Sequence, residues 1–173
     1  MNSVKYALSD LDIRKIAPNC KVMKYDDLYK YTGIDDLLRN TNAVALLYRQ
    51  ASNFGHWCTI TRDRYGNVSF FDSYGLMPDD ELRWTFEVND ELGQDVNILS
   101  KMLYEHSLKG NSVEYNEFPF QKDKDGINSC GRYSSLRCRM HKLTLPEFQR
   151  FLLKYKNPDI AVVKLTNKFL FSY

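Results

Sequence analysis

Residues 56–74 read HWCTITRDRYGNVSFFDSY, and this stretch decides the fold. β-Branched and aromatic residues crowd 56–61 and 67–74, and Asp63-Arg64-Tyr65-Gly66 between them has turn chemistry, so two antiparallel strands joined by a tight reversal are predicted. Centring the reversal near residue 64 sets His56 almost opposite Asp72 on one face of the ladder, where a carboxylate can reach the imidazole. A carboxylate there fixes the ring's tautomer and favours the imidazolium, which a general base or a thiolate's counter-ion requires. An unreactive histidine beside an acid gives the same pattern, so the pair needs a nucleophile before it means chemistry.

Asn128-Ser129-Cys130-Gly131 supplies one. Asn128 and Ser129 are good helix caps, so a helix is predicted over 130–141 with Cys130 at its start, where free backbone N–H groups and the helix dipole favour a thiolate. Gly131 leaves the backbone beside the sulfur unobstructed for an oxyanion, and Gln121, at the end of a strand predicted over 112–121, can add a side-chain amide. Nucleophile, base, orienting acid and electrophilic stabiliser make a complete acyl-transfer set. Taken singly, Cys130 reads more readily as an inert buried thiol, the commoner fate of a cysteine on a helix, and Gln121 equally as a strand end without chemistry.

Around this centre, a short helix capped by Ser9 and helical spacing over 25–39 open the chain, followed by a buried strand over 43–48. Ile98, Leu99, Met102 and Leu103 mark one face of a helix over 97–108 that stops at Gly110. Thr144-Leu145-Pro146-Glu147 is a capping box opening a helix to about 155, and 160–165 and 169–173 read as closing strands. The expected fold class is α+β, one domain over 1–173, with a small mixed sheet and a helix presenting Cys130.

Composition narrows the field. With 173 residues, 43% apolar and 27% charged, and only 8 Gly and 5 Pro, the chain is neither collagen-like nor a charge-dominated disordered segment. The apolar run 43–48 is far short of the roughly 18 residues a membrane span needs, and residues 1–10 lack a signal-peptide layout. No membrane partner is expected, and the expected location is cytosolic or inside a virion. A net charge of +2 does not single out nucleic acid, and Arg132, Arg137, Arg139 and Lys142 read as a solvated face or as a contact for an acidic substrate or nucleic acid. Cys20, Cys58, Cys130 and Cys138 contain no C-x-x-C, so free thiols are expected. His56, Cys58, Cys130, Cys138 and His141 have no recognised metal-ligand spacing, so no metal or cofactor is expected. Cys58, two residues from His56, points either at the same site or into the core, and His106 and His141 read as solvated helix residues.

The strings Gly55-His56-Trp57, Phe70-Phe71-Asp72-Ser73-Tyr74-Gly75, Gln121 and Ser129-Cys130-Gly131-Arg132-Tyr133 resemble the adenovirus-type maturation proteases and their relatives, the ubiquitin-like-protein proteases. The order His, acid, Gln, Cys is that clan's order, permuted relative to papain, and the fuller strings are most similar to capsid-maturation proteases of virophages and related double-stranded DNA viruses. The resemblance implies a papain-like fold, Cys130 as nucleophile, His56 as base and later acid, Asp72 as its partner, Gln121 as oxyanion donor and Trp57 as an aromatic wall over the scissile bond. It further implies capsid or other virion precursors as substrates, cut after small residues, in the virion or a cytoplasmic viral factory, with DNA or a peptide as a conceivable activator. Two departures stand out: Asp72 replaces the Glu of the adenovirus enzymes, and the spacing from Gln121 to Cys130 is longer than usual, which makes Asn128 the other candidate donor. The same resemblance accommodates removal of ubiquitin-like modifiers, acetyl transfer, or a non-catalytic interaction module.

Overall fold

The hairpin registers one residue further along than the sequence suggests. In the computed structural model, which describes residues 3–171, strand β3 (Phe54–Arg62) pairs with β4 (Val68–Phe71) through Thr59 opposite Phe71 and Arg62 opposite Val68. The reversal is therefore centred on Tyr65. Its geometry explains the shift: Asp63 accepts from the backbone N–H groups of Tyr65 and Asn67, and Gly66 takes φ +86°, a left-handed conformation that favours glycine. Because the slip changes the pairing by two, His56 and Asp72 stay on the same face as diagonal neighbours.

These strands lie inside a five-stranded mixed sheet of order β1-β2-β3-β4-β5, with β1 (Lys21–Lys24), β2 (Ala43–Ala51) and β5 (Val113–Tyr115). The central strands run antiparallel, and the two outer ones join in parallel. β4 ends at Phe71, so the first half of β3 has a strand partner on one side only. The fold class is α+β. The helices are α1 (Asp10–Ile16), α2 (Ile34–Leu37), α3 (Phe86–Asn89), α4 (Ile98–Leu108), α5 (Cys130–Arg139), α6 (Leu145–Leu153) and α7 (Pro158–Leu170).

Strand alternation sends Val44, Leu46, Tyr48, Cys58 and Ile60 to one face, where they pack with Leu28, Leu37 and the Leu99, Met102, Leu103 stripe of α4. Ala43, Ala45, Leu47 and Trp57 face the other way, onto α1 and α5, and Phe71 continues that layer into Tyr133, Phe148 and Val162. Small residues at 131, 134, 135 and 138 let α5 lie close to the sheet, as their sequence suggests.

Four expectations are corrected. The closing strands at 160–165 and 169–173 are one helix: Asn157 accepts from the Ile160 N–H, Pro158 opens the first turn, and Ala161, Val162 and Thr166 are buried at helical spacing despite β-branched residues. Residues 172–173 lie outside the described range. The helical pattern over 25–39 is split into a 3₁₀ turn (Tyr25–Lys30) and α2, because Tyr31 is extended and Gly33 follows. The strand predicted over 112–121 keeps only 113–115. Arg132 and Arg137 are buried: Arg132 donates to Thr166 and Asn167 of α7, and Arg137 to the carbonyls of Met140 and Leu143 and to Ser69. Of the predicted basic face only Arg139 and Lys142 remain exposed, and Arg139 closes the end of α1 by donating to the Ile16 carbonyl.

Candidate active site

Where β4 stops, the chain turns sharply and leaves Asp72 at the end of the ladder. Asn116 holds it there: its side chain accepts from the Asp72 N–H at 2.9 Å and donates to the Asp72 carbonyl at 2.6 Å, taking the place of a neighbouring strand. One carboxylate oxygen accepts from the Tyr74 N–H at 2.7 Å, and the other meets His56 Nε2 at 2.7 Å. Gly75 completes the turn with φ +75°, so close to the Glu117 carbonyl that a side chain would collide with it.

His56 is buried, and its position depends on Gly55, where a Cβ would overlap the Tyr48 carbonyl of the neighbouring strand. The Tyr74 ring stacks on the imidazole at 5.1 Å. Burial works against the charged imidazolium, but the charge and hydrogen bond of Asp72, followed by the neighbouring Cys130, hold His56 well above the usual histidine range. With Nε2 facing Asp72, Nδ1 is the nitrogen left for sulfur.

Cys130 is half-buried at the first position of α5. The expected caps do other work. Ser129 has a helical backbone, and its hydroxyl donates to Asp159 at 2.7 Å, while the Asn128 amide donates to the Lys5 carbonyl at 2.9 Å. The helix ladder starts with the N–H groups of Arg132 and Tyr133 on the Ser129 carbonyl. Among the described residues, the N–H groups of Cys130 and Gly131 therefore have no acceptor. They form a pair of free donors beside the sulfur.

Gln121 is also brought to this place, but its amide is engaged: it donates to the Tyr74 hydroxyl at 2.9 Å and the Ile127 carbonyl at 3.1 Å, and accepts from Ser73 at 2.7 Å. Its visible effect is to steady the ring that stacks on His56. Trp57 alternates to the opposite face, 7% exposed, donating to the Leu8 carbonyl. A Cβ on Gly131 would sit 3.2 Å from the Trp57 ring and 3.0 Å from Leu8, so glycine here serves the fit of helix to sheet. The aromatic face at His56 is that of Tyr74.

Cys58 is fully buried in the core, where burial raises its thiol's pKa. His106 is buried, not solvated, and burial lowers its pKa; His141 is half-buried against the Arg62 carbonyl. Among the described residues no group of three or more His, Cys, Asp or Glu is arranged to hold a metal ion, and no helix is long and apolar enough to cross a membrane. Asn116, Ser73, Tyr74 and Asp159 carry much of the geometry without having been singled out beforehand. A lone Asn between Tyr115 and Glu117 has no local signature of its role, whereas Tyr74 belonged to a quoted motif and could have been found by strand alternation from Asp72.

No protein-family model matches the chain. The uncharacterized protein V9 of Sputnik virophage is 35% identical over 169 residues, which span 94% of this chain and 95% of V9. Among solved structures, the central domain of the uncharacterized Lpg1148 protein from Legionella pneumophila aligns over 96% of this chain and 99% of its own, with 14% identity and a TM-score of 0.42.

Proposed function

This chain belongs to the family of the uncharacterized Sputnik virophage V9 protein, and from the geometry of its site we propose that it is a papain-like cysteine endopeptidase of the adenovirus maturation type. One observation carries the proposal: an imidazole that Asp72 holds from behind beside a half-buried thiol, at a helix start with two unengaged N–H groups.

The chemistry follows from these contacts. Cys130 gives its proton to His56 Nδ1, and the sulfur attacks the scissile carbonyl carbon. The electron pair of the C=O bond moves to oxygen, where the Cys130 and Gly131 N–H groups stabilise it. Collapse of the adduct expels the amine, which takes the proton from His56 and leaves a thioester. His56 then deprotonates water, which attacks the thioester and releases the acid and the thiol. Asp72 keeps Nδ1 aimed at sulfur throughout. Gln121 joins as an oxyanion donor if substrate draws its amide from Tyr74 or Ile127.

Capsid or other virion precursors are the proposed substrates, and the virion or viral factory the proposed place of action. Incubation of the candidate precursor with the protein, with mass mapping of the products, tests this: one defined cut is expected, and Cys130→Ala is expected to slow it by at least about a thousandfold. An unchanged cut with Cys130→Ala would overturn the assignment, and preferential cleavage of a Gly-Gly-terminated modifier would replace the substrate.

A further inference from the structure

Beside His56 a groove of roughly 830 Å³ runs out to the surface, lined by Tyr74, Leu76, Trp84, Pro119 and Gln121, with Gln50 and Glu81. Its walls are largely apolar. Glu81 is 7% exposed; among the described residues its carboxylate takes one hydrogen bond, from Gln50 at 3.3 Å, and no Lys, Arg or His side chain lies within ion-pair distance of it. On the outer wall Lys122 and Asp123, both exposed, offset one another in sign, which leaves Glu81 as the buried charge of the groove, with His56 acting on it only from a distance.

The Glu81 backbone is held firmly. It sits on the 3₁₀ turn Asp80–Arg83, which follows Asp79 in a left-handed conformation at φ +69°. That strained residue is over-determined: its carboxylate accepts from Tyr25 and Tyr48, each at 2.9 Å, and from the Ser100 N–H at 2.8 Å. Downstream, the Trp84 N–H and the Thr85 hydroxyl close onto the Glu81 carbonyl. Burial raises the Glu81 pKa, opposed by the positive charge of His56.

A buried carboxylate without an ion-pair partner is costly, and an apolar cleft with aromatic walls suits a long side chain carrying positive charge at its tip. We propose that the groove is a substrate subsite for a lysine or arginine side chain, its stem along Tyr74, Leu76 and Trp84 and its cationic head on Glu81. The proposal rests on the endopeptidase assignment above and adds a substrate class to it.

The test uses the full chain carrying Cys130→Ala and a set of labelled short Gly/Ala peptides with Arg, Lys, Met or Gln at each position in turn, bound in fluorescence anisotropy titrations. At one position Arg or Lys is expected to bind at least about tenfold more tightly than Met or Gln. Adding Glu81→Gln is expected to reduce that ratio to near one, and Glu81→Asp to keep part of it. Equal binding of all peptides, or a basic preference that survives Glu81→Gln, would overturn the subsite. A Glu81-dependent preference with no cutting of the same peptides by the unaltered protein supports the subsite and sinks the endopeptidase assignment. Cutting without a basic preference does the reverse.

Discussion

The two ends of α5 each carry a cysteine, and they are built in opposite ways. At the start, the Ser129 hydroxyl is drawn to Asp159, the first N–H groups have no acceptor, and Cys130 is half-buried against an imidazole. At the other end, Arg137 closes the helix through the Met140 and Leu143 carbonyls, and Cys138 is buried beside Cys20. Burial raises the Cys138 thiol, and its hydrogen bond lowers that of Cys20. The contrast teaches that a cysteine on a helix becomes a candidate nucleophile through what its neighbours leave unpaired.

The sharpest way to break this contrast is alkylation. With iodoacetamide and mass mapping, Cys130 is expected to react at least about a hundredfold faster than Cys58 or Cys138, and His56→Ala to remove most of the advantage. Cys20 is a poor comparator, because its partner already lowers its pKa. Equal rates at 130, 58 and 138 would make the chain an interaction module instead of an enzyme.

At the sealed end the readout is stability. Arg137→Met strips the carbonyls of Met140 and Leu143 of a buried donor, and a loss of about 2–3 kcal/mol in urea unfolding is expected. A loss under about 0.5 kcal/mol would return Arg137 to the solvated face suggested by its sequence.

At the open end the pH dependence is distinctive. Because folding raises the His56 pKa above 6.5, the stability gained from its pairing with Asp72 is fully present below that pH and is lost as pH rises through the folded value. The unfolding free-energy difference between wild type and Asp72→Asn is therefore expected to shrink from neutral to alkaline pH. A gap that widens would contradict the ion pair. The smallest effect is at Ser129→Ala, about 1 kcal/mol from the lost bond to Asp159, with no further penalty for losing a helix cap.

Sequence patterning carried much of this fold. The hairpin, the α4 stripe and the Thr144 capping box rest on local chemistry and are present in the structure. So does the facing of His56 and Asp72, since alternation puts them on one face whichever way the turn slips by one, whereas the approach of Cys130 is an expectation carried by the resemblance. Long-range features were illegible. Nothing local reveals that Arg132 and Arg137 are buried, because a run of charge looks the same whether water or carbonyls receive it. The C-terminal helix was hidden by Ile, Val and Phe, whose strand preference yields to packing against α5. Glu81 and its groove depend on a strained Asp79 that no pattern announces.

Asn116 has a consequence for how such a site can vary. A single amide, instead of a whole edge strand, fixes the backbone on which the acid sits, so the sheet need not extend to the chemistry. The aim of the carboxylate therefore hangs on residue 116 and not on the length of β4 or β5.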